Sequence, residues 1–252
     1  MSRILVIPAA GLGSRLGAGV PKLLVPVGGV PMIDRLARLY EDHVERVVLI
    51  AHPSFEPDVR RHVERWTLPV SIAVQQRPTG MLDAILLATD AVRAAGPDTV
   101  WITWCDQVGV HPATIERLAG TLAGQPDAAL ALPTVTGPDP YIHFDRDRSG
   151  RIIGVRHRRE GDDMPAIGES DMGLFALTAA AYLDDLPRYA LEPGIGQRTA
   201  ERNFLPFIPW TAARRPVLTF PAVDAMEAVG VNTRDDLVRV ERYLSARPAA
   251  HA

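Results

Sequence analysis

Two residue types are scarce in this chain, and each scarcity excludes something. Among 252 residues there is one cysteine, Cys105, so an internal disulfide is ruled out and a reducing cytoplasm is the fitting compartment. Only Lys22 is a lysine among 27 Lys and Arg residues, and arginine supplies the other cations. No apolar run approaches the roughly 20 residues that a membrane helix needs. Met1-Ser2-Arg3-Ile4 leads straight into a strand-like run, so no signal peptide is expected. A formal net charge of −3 argues against a nucleic-acid backbone as the main partner. Repeats and low-complexity tracts are missing, and residues 248–252 read as a frayed tail.

What is present fits one large α/β domain over residues 1–247. The hydrophobic share of 47% and charged share of 23% are those of an ordinary globular protein. Apolar runs at 4–7, 46–51, 70–74, 100–104 and 128–133 alternate with helical patterns at 33–40, 57–66, 81–95 and 112–122. That order predicts a mixed, mainly parallel sheet with helices on both faces. Residues 142–156 read as an inserted β-hairpin around Asp147-Arg148-Ser149-Gly150. A strand at 216–220 and a helix at about 233–244 close the chain, with Asp235 and Asp236 suited to that helix's first turn.

The first loop organises the rest. Ile7-Pro8-Ala9-Ala10-Gly11-Leu12-Gly13-Ser14-Arg15 leaves a buried strand and ends at Pro21-Lys22. Small residues there let backbone N–H groups approach phosphate oxygens, and Arg15 and Lys22 add cations. A dinucleotide fingerprint needs glycine where Leu16 stands, which disfavours a nicotinamide dehydrogenase. A Walker loop needs Gly-Lys-Ser/Thr, whereas Lys22 lies between Pro21 and Leu23. Lysine binds phosphate as a point charge, a role that arginine's rigid fork does not copy.

Ala9-Ala10-Gly11-Leu12-Gly13-Ser14-Arg15 with Pro21-Lys22 resembles the signature of the sugar-phosphate nucleotidyltransferases, above all the N-acetylglucosamine-1-phosphate uridyltransferase domain. Motifs in family order run from residue 4 to about residue 244. The resemblance implies a single Rossmann-like domain without the family's β-helix acyltransferase domain. It also implies a loop, including Ala9, Ala10, Gly11 and Gly13, that wraps a nucleoside triphosphate, with Arg15 and Lys22 as catalytic cations.

Further motifs extend the resemblance. Gln75-Gln76-Arg77-Pro78-Thr79-Gly80 is similar to the family's base-contacting segment, which points to Gln75, Gln76, Thr79 and Gly80; glutamine amides both donate and accept, as a base edge requires. A capped loop would use the same residues. Asp106 ends a buried strand, where α/β sheets bind ligands, and the family's aspartate there holds Mg²⁺. Cys105 replaces the family glycine and reads as a small buried hydrophobe. Gly230-Val231-Asn232 resembles the motif whose asparagine is the second Mg²⁺ ligand, although Asn232 or Thr233 would equally make a helix N-cap.

The acceptor side departs from the pattern. Tyr141 survives without the flanking glycines, and Glu169-Ser170-Asp171-Met172-Gly173 replaces Glu-x-Asn-Thr-Gly. Tyr141, Glu169 and Asp171 are therefore the expected substrate contacts, with the sugar itself open. Arg156-His157-Arg158-Arg159 is either a ligand for the acceptor phosphate or a solvated face, and Asp145-Arg146-Asp147 reads as a turn rather than a DxD metal motif. For 201–207 the expectation is core packing by Phe204 and Phe207. The implied partners are UTP, CTP or dTTP and a phosphorylated small molecule, with neither nucleic acid nor membrane and no implied oligomeric state. A cytidylyltransferase using a non-sugar phosphate or phosphonate is the alternative enzyme. A catalytically silent nucleotide-binding protein is the alternative of another class, against which Asp106 and Asn232 both stand.

Overall fold

The computed structural model describes residues 1–11, 16, 20–192 and 194–247. Strand β1 (Arg3–Ala9) is the centre of a parallel set, flanked by β4 (Arg46–Ala51) and β6 (Thr99–Thr103), with β5 (Val70–Val74) outside β4. Its alternation explains the position. Leu5 and Ile7 pack on one face of the sheet and Ile4 and Val6 on the other, all buried. Each such side chain removed from water contributes about 2 kcal/mol, so β1 belongs between two helical layers.

One layer holds α1 (Met32–Tyr40), α2 (Glu56–Val63), α5 (Pro112–Thr121) and α8 (Arg234–Ala246). In α1 the buried residues Met32, Ile33, Leu36 and Tyr40 recur at helical spacing on one side. Pro112 starts α5 where a missing N–H costs nothing. The opposite layer holds α3 (Met81–Leu86), α4 (Thr89–Ala95), α6 (Leu186–Tyr189) and α7 (Phe207–Ala212). The single helix expected over 81–95 is corrected to two. The Thr89 hydroxyl bonds the Leu86 carbonyl at 2.6 Å, drawing that carbonyl into a turn at the junction.

The sheet is mixed, as expected, because two strands of its second half run against the others. The long strand β7 (Leu130–Pro138) carries β12 (Val217–Pro221) in parallel along one edge; the other edge receives β10 (Ile167–Asp171) and then β11 (Leu174–Thr178), both antiparallel. β11 also pairs with β6, closing the order. Between β10 and β11 the chain bends at Gly173, where φ is +72° and a Cβ would meet Trp104 Cδ1 at 2.2 Å. The hairpin forms a separate two-stranded sheet of β8 (Ile142–Arg146) and β9 (Ile152–His157), and a small pair, β2 (Pro26–Val27) and β3 (Val30–Pro31), precedes α1. Asp147 and Gly150 close the hairpin turn by a 3.0 Å backbone bond, while Asp145 and Arg146 lie in β8 itself rather than in the turn expected for them. No helix among the described residues is long and apolar enough to cross a membrane.

Candidate active site

Strands β6, β1, β4 and β5 are all parallel, so their carboxyl ends share one edge of the sheet. After β1 the chain proceeds to β4 and β5 on one side and then returns to β6 on the other. A crevice opens at such a switch point. Here it is a cleft of about 400 Å³ walled by Pro8 to Gly11 at the end of β1, Gln75 beyond β5, and Trp104 to Asp106 beyond β6.

Lys22 and two oxygen-bearing side chains meet in this cleft. A short 3-10 turn, Lys22–Leu24, is held by Leu24 N to Pro21 O at 2.8 Å, and its Leu23 is buried in the core. The Lys22 ammonium donates to Asp106 Oδ2 at 2.6 Å and to Asn232 Oδ1 at 2.8 Å. Asp106 comes from the end of β6 and Asn232 from the start of α8; a bond from Val231 N to Asp106 O at 3.1 Å ties the two segments. Thr233 takes the N-cap of α8, its hydroxyl accepting from Asp236 N at 3.1 Å while Asp236 reaches back to Thr233 N. The Asn232 side chain is thereby free of capping, although the residue's backbone N–H also donates to Asp236 at 3.2 Å. Its Nδ2 donates to Gly230 O at 3.3 Å, which turns Oδ1 toward Lys22.

The loop from Gln75 to Gly80 is shaped by a distant segment. Gln75 is buried and spends its Nε2 on Gly80 O at 3.0 Å. Gly80 adopts φ +119°, and the backbone of Arg202 lies against it: Arg202 N donates to Thr79 O at 2.8 Å and Arg202 O accepts from Leu82 N at 3.0 Å. Arg202 further ties down Asp83 and the Ala190 carbonyl through its guanidinium.

Across the cleft, the arginine cluster resolves into separate roles. Arg156 forks onto Asp145 at 2.9 Å, and Arg158 onto Asp139. Arg159 instead lines the cleft, paired with Glu201 at 3.2 and 3.4 Å. Next to it, hydrogen bonds from Thr199, Arg198 N and Asn203 hold the Glu160 carboxyl down at about 2. The end of the hairpin is thus fastened to the segment that supports Gly80. Burial pushes the Cys105 thiol up to about 12, which leaves it a packing residue with no nucleophilic character.

The MobA-like NTP transferase domain matches residues 5–192. The chain belongs to that family. Curated relatives called bifunctional protein GlmU include one from Pseudomonas putida, 33% identical over 98% of this chain and 52% of its own. Those from Thermus thermophilus (31% identical, 96% and 52%) and Cellvibrio japonicus (27%, 97% and 52%) are similar. The chain spans about half the length of the curated relatives it matches.

For this NTP transferase domain the cleft gathers Ala9, Ala10, Gly11, Lys22, Gln75, Gly80, Asp106 and Asn232 of the residues expected from sequence. Gly13 and Arg15, like the tail at 248–252, lie outside the described residues. Gln76 and Thr79 are exposed on the same loop and do not line the cleft. Neither do the three residues expected on the acceptor side. Tyr141 is exposed and sets its ring edge against His157 at 5.1 Å. Glu169 is gripped by Arg146 at 2.6 and 2.7 Å; burial works to raise its carboxyl, but Arg146 and Thr134 outweigh that and hold it below the usual range. Asp171 is buried, accepts from Gly173 N at 2.8 Å, and is raised by burial to about 6.

Sequence reasoning missed Trp104 and Glu201 as cleft residues. Trp104 read only as the end of an apolar run; its ring is seated against Phe175 and Phe204, and its backbone N–H donates to Gly173 O at 2.9 Å. Glu201 had no signal apart from its place beside the aromatic pair, whose core burial is as expected. For a divalent cation, one carboxylate oxygen and one amide oxygen already converge on a single positive group. This all-oxygen pair suits Mg²⁺, which keeps waters and shares substrate phosphates. Among the described residues no cluster of three His, Cys, Asp or Glu offers another site.

Proposed function

We propose that the protein condenses a nucleoside triphosphate with a sugar 1-phosphate, giving an NDP-sugar and pyrophosphate, with Mg²⁺ as its cofactor. One observation carries the reading: Lys22, Asp106 and Asn232 converge beside Ala9–Gly11 at the switch point of the sheet. A phosphate oxygen of the acceptor attacks the α-phosphorus; a new P–O bond forms as the bond to the pyrophosphate leaving group breaks. The acceptor is already an anion, so no general base is needed. Positioning and charge neutralisation then supply most of the acceleration.

In this reading the backbone of Ala9 to Gly11 approaches the phosphates, and Lys22, with Arg15, neutralises charge on the triphosphate and in the transition state. Asp106 and Asn232 would hold Mg²⁺, which when bound supplies positive charge to phosphate oxygens. Gln75 has an Oε1 that accepts nothing among the described residues, and it faces the base together with Gly80. Arg159 presents a planar fork suited to the acceptor's phosphate. Gln76 and Thr79 belong to the outer side of the base loop.

A second reading has a specific observation behind it. Glu169 and Asp171, which the resemblance assigns to the sugar, are engaged with Arg146 and with Gly173 N. That favours a different phosphorylated acceptor, as in a cytidylyltransferase using a non-sugar phosphate or phosphonate. Pyrophosphate release with Mg²⁺, four NTPs and a panel of sugar 1-phosphates and other phosphorylated acceptors separates the two. Release with a sugar 1-phosphate supports the first, and release only with a non-sugar acceptor the second. Silence throughout, in protein that binds an NTP, overturns both.

A further inference from the structure

Lys22 stands where a metal ion would have to stand. Its ammonium lies 2.6 Å from Asp106 Oδ2 and 2.8 Å from Asn232 Oδ1, the oxygens assigned above to the divalent cation. The Lys22 and Asp106 side chains are only 13% and 14% exposed. Two cations cannot share the same pair of oxygens in so poorly solvated a site, because water is not there to screen their repulsion.

We propose that Lys22 is the resident counter-ion of this oxygen pair, and that the protein accepts its divalent cation only as a metal–nucleoside triphosphate complex. This rests on the nucleotidyltransferase reading. A free metal ion would have to expel the ammonium into a cleft whose other lining carboxylate, Glu201, is already paired with Arg159. A metal–triphosphate complex brings the replacement charge with it. The phosphates draw Lys22 away as the metal takes Asp106 and Asn232, and charge stays balanced throughout.

Three features fit this exchange. The segments that carry the oxygen pair are held apart from Lys22: the Asn232 amide is oriented by Gly230 O, and the Asp106 backbone carbonyl is tied to Val231 N. Thr233 carries the helix cap, so Asn232 has no competing duty. The residue type also matters. A lysine swings a compact charge on a flexible stem, whereas arginine would clamp the carboxylate through a rigid fork. That accounts for the one lysine in a chain whose other cations are arginine.

Electron paramagnetic resonance of free Mn²⁺, titrated without nucleotide, tests the exchange directly. Wild-type protein should leave Mn²⁺ free, and should bind it when UTP or CTP is added. Lys22→Met should bind Mn²⁺ alone at least tenfold more tightly than wild type, and Asp106→Asn in that background should abolish the gain. Lys22→Gln, with thermal melts as a check on folding, provides a second variant with the same expectation. Equal Mn²⁺ affinity in wild type and both Lys22 variants, with the binding still lost on Asp106→Asn, overturns the exchange and leaves the metal assignment standing. Mn²⁺ binding that survives Asp106→Asn overturns both.

Discussion

The backbone of Arg202 packs against Gly80 so closely that a Cβ on Gly80 would come within 2.4 Å of Arg202 N and 2.5 Å of Arg202 O. Residues far apart in sequence therefore define one wall of the cleft. The contact also joins the loop of Gln75 to the end of the hairpin, because the segment around Arg202 is fastened to Arg159 and Glu160.

Gly80→Ala should be costly on two counts, the φ of +119° and the clash with Arg202. We expect a loss of about 2 kcal/mol or more in urea unfolding, together with a raised KM for the nucleotide as the loop carrying Gln75 shifts. An unchanged unfolding midpoint would show that the segment at Arg202 gives way freely.

Lys22→Ala should lower kcat for pyrophosphate release by about a hundredfold or more, the scale for losing one preorganised donor to developing charge. The protein should stay folded, since the Lys22–Leu24 turn is anchored in the core by Leu23. A near-normal rate would remove Lys22 from the chemistry.

Arg159→Ala should raise KM for the phosphorylated acceptor by about tenfold, the scale of losing one charge-assisted contact, and leave KM for the nucleotide nearly unchanged. Arg158→Ala is the control, because Arg158 is committed to Asp139. Equal effects of the two variants on acceptor KM would assign the cluster to the solvated face.

Asp171 makes stability depend on pH. Its carboxyl is raised from 3.8 to about 6 by burial, so the folded state binds the proton more tightly than the unfolded chain does. Stability from this group is complete below about pH 4 and is lost as pH rises through about 6, by up to about 3 kcal/mol. Asp171→Asn keeps an acceptor for Gly173 N and has no charge to bury. Its melting temperature should exceed that of wild type at pH 7.5 and converge with it near pH 4. Parallel pH profiles would contradict this.

Much of the fold was legible because β1, β4 and β6 are buried on both faces and announce themselves as apolar runs. The bend between β10 and β11 was not legible, because it depends on how Gly173 meets Trp104 in space. In the cleft, Lys22 and Asp106 stood out as a rare residue and a strand end. Asn232 and Thr233 were indistinguishable as caps until the reciprocal bonds of Thr233 and Asp236 separated them. The arginine cluster was ambiguous for a related reason: three cations look alike in sequence, and only the partners Asp145, Asp139 and Glu201 tell them apart.

The most direct test of the account is anomalous diffraction from a crystal grown with Mn²⁺ and a non-hydrolysable UTP or CTP analogue. The account predicts one manganese peak ligated by Asp106 and Asn232, with the triphosphate running past Ala10 and Gly11 and Lys22 turned onto it. A nucleotide bound elsewhere, or manganese that avoids Asp106 and Asn232, would contradict it.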